Sequence, residues 1–178
     1  MTNLEKNEDK FDMRVNVKYR KRTTPGLGPA IIREISEAKD EPKWMLEHRL
    51  KCLEIFQSWH NPRFGVDISD LDLGKIVAYL RPDVKKAHSW DEVPEEIREA
   101  FEKLGIPEAE QKVLAGVGAQ YDSEAVYQNI KRELESLGVI FLDMETAVRQ
   151  YPNLVKTYFM QVVKPTLHKY AALHGAVW

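Results

Sequence analysis

The residues best equipped for chemistry are five histidines, His48, His60, His88, His168 and His174, and one cysteine, Cys52. Imidazole and thiolate are common zinc ligands, and the pair also serves as base and nucleophile in covalent catalysis. Their placement in the sequence supports neither use. There is no H-x-x-x-H pair, His168 and His174 stand six apart and so off one helical face, and no histidine has the cysteine company of a zinc site. Cys52 sits beside Leu53 inside a helical pattern, where cysteine behaves as a small buried hydrophobe, and nothing in the sequence marks a base or an orienting group beside it. Gly116-Val117-Gly118 is half a dinucleotide fingerprint, without a preceding strand or the third glycine, and reads as a turn between helices. The pairs Glu95-Glu96 and Glu108/Glu110 fall in helix first turns, where the macrodipole favours negative charge. No catalytic, cofactor-binding or metal-ligating residue is assigned.

The elements that would position any site are mostly helical. Leu27, Ile31, Ile32 and Ile35 share one helix face, and a second helix is expected from Pro42 through Trp44, Leu46, Leu50, Leu53 and Ile55 to a break at Asn61-Pro62. Residues 66–81 predict a loop and a short helix ending before Pro82. Ser89 and Glu92 have capping-box spacing ahead of a helix carrying Ile97, Phe101 and Leu104, stopped by Gly105, with Pro107 opening another. Asp122 or Ser123 is expected to cap a long helix through Val126, Ile130, Leu134 and Leu137, closed by Gly138. The β-branched run Val139-Ile140-Phe141-Leu142 predicts the one convincing strand. Asp143 caps the next helix, Pro152 interrupts it, and Leu154, Val155, Tyr158, Phe159 and Val162 form a further apolar face. Thr166 caps a last helix through Leu167, Tyr170, Ala171, Leu173 and Val177.

Composition narrows the function classes. With 178 residues, 43% hydrophobic and 30% charged, the chain suits one globular domain with an extension. A net charge of -2 gives no reason to expect nucleic acid, no stretch has the length of a membrane span, and a single cysteine excludes an internal disulfide. The first 25 residues are different in kind, with seven Lys/Arg against four acidic residues and the run Lys18-Tyr19-Arg20-Lys21-Arg22. They read as a solvated basic tail, with Val15 and Val17 alternating as in a short strand. A cytoplasmic protein is expected.

Several stretches resemble a known family. EPKWMLEHRLKCLEIF is similar to the EPEWMLEWRLKA-type motif of the SufB/SufD family, scaffold subunits of the SUF iron–sulfur cluster assembly machinery. The segment from SWDEVPEEIREAFEKLGIP through QYDSEAV and GVIFLDMETAV to YPNLVKTYF follows the family's order, and AALHGAVW resembles its AALHGALW-type stretch. The resemblance runs from about Ala30 to Trp178, while residues 66–81 depart from the family's DISYYSAPK-type text. It implies a mainly α fold with one or two short strands: a SufB-like N-terminal helical domain without the family's parallel β-helix core. The expected division is a flexible basic arm over 1–25, the helical domain over 26–165, and a terminal helix or start of the β-helix over 166–178. The implied role is structural, in iron–sulfur cluster assembly, with no catalysis and no cofactor in this chain; the family's cluster belongs to the part beyond Trp178. The SufC ATPase and SufD are the implied partners. Self-association is expected through an apolar C-terminal seam of Leu167, Tyr170, Leu173, Val177 and Trp178. The alternative is a stand-alone helical adaptor for a protein partner.

Overall fold

The computed structural model describes residues 18–62, 65, 68, 70–87, 90–103, 116–130 and 132–178. In chain order its elements are β1 (Tyr19–Arg22), α1 (Pro29–Ala38), α2 (Lys43–Ser58), β2 (Leu80–Pro82), α3 (Glu95–Lys103), β3 (Gly116–Tyr121), β4 (Glu124–Ile130), α4 (Arg132–Ser136), α5 (Met144–Gln150), α6 (Pro152–Tyr158) and α7 (Lys169–Val177). Short 3₁₀ turns occupy Leu73–Lys75 and Trp90–Glu92. The fold is mainly α, with two small two-stranded sheets, β1–β2 and β3–β4. The chain divides into two compact units, residues 1–20 with 81–143 and residues 21–80 with 144–178.

The second of these units carries the larger core. Pro29 opens α1, and the expected face is the buried one, with Ile32 and Ile35 fully covered. Pro42 precedes α2 in extended conformation, as its fixed φ and missing N–H favour at a helix start. Cys52, Leu53 and Phe56 of α2 pack with the α1 isoleucines, Tyr79, Ala172 and Ala176. Each large apolar side chain so buried contributes about 1.5–3 kcal/mol. On α7 the small residues Ala172, Gly175 and Ala176 lie at i, i+3 and i+4 and are all buried, so this helix approaches α2 closely. Arg149 ties α5 to the residue after α1, donating to Lys39 O at 3.0 Å and to Glu145 Oε1 at 2.9 Å.

The other unit is built on a hairpin where a long helix was expected. β3 and β4 run antiparallel from Gly116↔Ile130 to Tyr121↔Glu124, with an irregularity at Ala119/Gln120. Asp122 takes φ 50, and the Asp122-Ser123 turn reverses the chain rather than capping a helix. The helical spacing of Val126, Ile130, Leu134 and Leu137 is overridden because Val126 and Tyr127 are needed in a sheet-borne core with Ala87, Val93, Ile97 and Ala119. Gly116 and Gly118 accordingly lie in β3, not in a turn between helices. Only Arg132–Ser136 remains helical, and Gly138 does close it. Its N–H donates to Glu135 O at 2.9 Å and that of Val139 to Leu134 O at 3.0 Å, a Schellman ending with Gly138 at φ 85.

Other expectations fail locally. Val139, Ile140 and Phe141 are exposed and form no strand, as no strand among the described residues pairs with them. Residues 76–82 are extended rather than helical: Val77 bridges to Pro25, Tyr79 O accepts from Thr23 N at 3.2 Å, and Leu80–Pro82 form β2. Within the basic run, Tyr19–Arg22 form strand β1, three of its four residues exposed to solvent. Val15, Val17, Ser89, Leu104, Gly105, Pro107, Glu108 and Glu110 lie outside the described residues. Leu154, Tyr158 and Val162 are exposed, leaving Val155 and Phe159 as the partly buried members of that face. At α7, His168 takes the capping position expected of Thr166, its Nδ1 accepting from Tyr170 N at 3.2 Å. Of the expected C-terminal seam, Tyr170, Leu173 and Val177 fold back onto the core, whereas Leu167 is 67% and Trp178 52% exposed.

Candidate functional site

Position 52 is where chemistry gathers. On α2, His48 and Cys52 stand one turn apart, so their side chains share a face, and His48 Nε2 lies 3.3 Å from Cys52 Sγ. After α6 the chain turns sharply. Phe159 takes φ -58 and ψ 124 in the turn and Met160 takes φ 50, a left-handed conformation uncommon for a long side chain. That turn sets the Phe159 ring edge-on to His48, centroids 5.1 Å apart, and brings Met160 Sδ to 3.3 Å from His48 Nε2. Gly175 of α7 closes the far side. A Cβ there would come within 2.8 Å of both Cys52 Sγ and Met160 Sδ, so only glycine leaves the two sulfurs their room.

These groups border a cleft of about 540 Å³ inside the larger-core unit. Trp44 and Ile55 supply apolar wall, while Lys51, Lys156 and Lys164 outnumber Glu47 among its charged residues. Burial pushes the Cys52 thiol up to about 11, outweighing the opposing pull of Arg49 and Lys51. Burial, then the charges of Arg49 and Lys51, lower His48 from its ordinary value. Both shifts favour the neutral thiol and imidazole over the thiolate–imidazolium pair of an activated nucleophile.

Arg49, itself in a buried ion pair, holds the cleft's α2 wall to the end of α7. Arg49 Nε and Nη2 engage Glu41 Oε2 at 2.7 Å and Oε1 at 2.5 Å, with side chains only 3% and 4% exposed. The guanidinium also donates to Ala176 O at 3.1 Å and Trp178 O at 2.8 Å, carbonyls at the end of α7 that lack helical partners.

The sequence marks no base beside Cys52, but the structure places His48 there. The i, i+4 spacing was the available signal. His60 and His174 are exposed, His168 serves as a helix cap, and His88 lies outside the described residues. Among the described residues no three His, Cys, Asp or Glu side chains gather as a metal site, and no helix is long and apolar enough to cross a membrane. An iron–sulfur cluster does not fit the donor set either, since it normally takes four ligands, mostly thiolates, and Cys52 is the only thiol.

No family model matches the chain, and no solved structure does. Curated relatives are plain. An iron-sulfur cluster assembly SufBD family protein of Staphylococcus haemolyticus is 52% identical over 157 residues, 88% of this chain and 34% of the relative. Proteins of the same description from Staphylococcus saprophyticus and Staphylococcus aureus are 52% and 51% identical over the same lengths. The chain thus spans about a third of the length of the curated relatives it matches. Across those 157 residues it is similar to proteins of the SufBD family.

Proposed function

We propose that the chain corresponds to the N-terminal portion of a SufB-like scaffold in iron–sulfur cluster assembly, with a structural and interaction role and no catalysis of its own. The observation that carries this reading is 52% identity across 88% of the chain to proteins described as iron-sulfur cluster assembly SufBD family members. The neutral thiol and imidazole support a non-catalytic role. The cluster in this scheme is cargo, held by residues other than those described. The partners are the SufC ATPase and SufD, and the compartment is the cytoplasm. An adaptor for a protein partner is the second reading, favoured by the docking of α7, whose Ala172 and Ala176 are fully buried.

The test is a chimera in which this chain replaces the matching third of the Staphylococcus aureus relative, in cells lacking that relative. Restored activity of iron–sulfur enzymes is expected from the chimera and not from the 178-residue chain supplied alone. A chimera that accumulates as soluble protein yet restores nothing defeats the proposal. Rescue by the separate chain points to the adaptor.

A further inference from the structure

Two soft sulfur donors and an imidazole nitrogen converge at the cleft. His48 Nε2 is 3.3 Å from Cys52 Sγ and 3.3 Å from Met160 Sδ, and the two sulfurs both lie 2.8 Å from the point where a Cβ of residue 175 would sit. They are therefore less than twice that distance apart. We propose that Cys52, His48 and Met160 form a three-coordinate site for one soft monovalent metal ion, copper(I). This departs from the expectation that the chain holds no metal ligand.

The geometry needs little change. Bonds of roughly 2.0–2.3 Å to nitrogen and sulfur, at trigonal angles, separate donors by about 3.6–4 Å. Opening the two 3.3 Å contacts by a few tenths of an ångström suffices, and the flexible Met160 side chain supplies the movement. Met160 reaches the site from a left-handed backbone, a conformation that costs free energy and concentrates at ligand sites. The cleft provides an entry path.

Charge and softness select the ion. Thiolate and thioether favour copper(I) among biological metals. One thiolate neutralises a monovalent ion, whereas zinc(II) would keep a positive charge beside Lys51, Lys156 and Lys164. Uptake exchanges one proton: the Cys52 S–H bond breaks, an S–Cu bond forms, and the proton leaves to solvent with no change of oxidation state. The competing account is a closed packing cluster, with S–H···N and sulfur–aromatic contacts satisfied internally, which takes up no metal.

An anaerobic titration of the 178-residue chain with copper(I), against a chromogenic copper(I) chelator, decides between them. One equivalent should be withdrawn from the chelator, with thiolate-to-copper absorption appearing in the near ultraviolet. Cys52→Ser should abolish this, and His48→Gln and Met160→Leu should each weaken it at least about tenfold with the circular dichroism of the parent retained. Zinc(II) should bind at least about a hundredfold more weakly. No withdrawal, equal zinc affinity, or affinity unchanged in Met160→Leu overturns the proposal, the last showing a thiol acting alone. Should a variant fail to fold, X-ray absorption of the copper-loaded parent replaces it: two sulfurs and one nitrogen support the site, and any other donor set refutes it.

Discussion

Arg49→Met would test how much of the larger-core unit depends on one guanidinium. The change keeps most of the side-chain stem but strands Glu41, whose side chain is 4% exposed, and removes the donors from Ala176 O and Trp178 O. Breaking one partner out of a buried pair costs about 3–5 kcal/mol, because the remaining charge stays desolvated. Each carbonyl bond adds about 1 kcal/mol at most to that, in part already counted. A loss near 4 kcal/mol is a large share of the roughly 5–15 kcal/mol by which domains are stable. Urea unfolding followed by tryptophan fluorescence reads it, since Trp44, Trp59 and Trp178 all lie in this unit. Hydrogen exchange should show the amides of α7 losing protection before those of α1. The double change Arg49→Met with Glu41→Leu removes the stranded carboxylate and should recover most of the loss, leaving about 1–2 kcal/mol for the carbonyls. A single change within 1 kcal/mol of the parent, or a double change costing more than the single, would refute the reasoning.

Gly175→Ala should destabilise by up to about 2 kcal/mol, as crowding of the two sulfurs outweighs alanine's helix preference of about 1 kcal/mol. With Cys52→Ala and Met160→Ala beneath it, the same change should become stabilising in denaturant titration; an equal cost in both backgrounds would disprove the contact. Because the Cys52 thiol is raised from 9.0 to about 11, the unfolded chain loses its proton first, so this group's contribution is full below pH 9 and is lost as pH rises through 11. Melts between pH 8 and 11 should fall more steeply for the parent than for Cys52→Ala, and parallel curves would contradict the shift. Reconstitution with iron and sulfide should leave the chain colourless after desalting; a stable brown product lost in Cys52→Ala would reverse that expectation.

Helix α1 was legible because its burial follows the expected face, whereas α2 and α7 form as helices but bury other residues, Met45, Arg49, Cys52 and Phe56 on the one and Ala172, Gly175 and Ala176 on the other. Ile31, Ile32 and Ile35 announce α1 by spacing, and Pro29 and Pro42 mark starts that local sterics enforce. The β3–β4 hairpin was illegible for the converse reason. Val126, Ile130, Leu134 and Leu137 fit a helix, and only pairing with residues 116–121 tells the chain to use Val126 and Tyr127 in a sheet. The run 139–142 shows the same dependence from the other side. It has every local property of a strand and no partner strand among the described residues, so propensity alone does not make it one.

The site divides along the same line. His48 and Cys52 are four residues apart on one helix, and the helical repeat brings them together wherever α2 forms. Met160 is 112 residues from His48, and nothing local to either predicts the contact. It depends on α6 ending in a left-handed residue and on α7 presenting a glycine opposite. A small residue often eases helix contact, but a left-handed residue after a helix is usually glycine, and here it is Met160. Their coincidence beside Cys52 makes the cluster, and so a one-carbon addition at Gly175 should disturb it more than most changes to the cleft's exposed lysines.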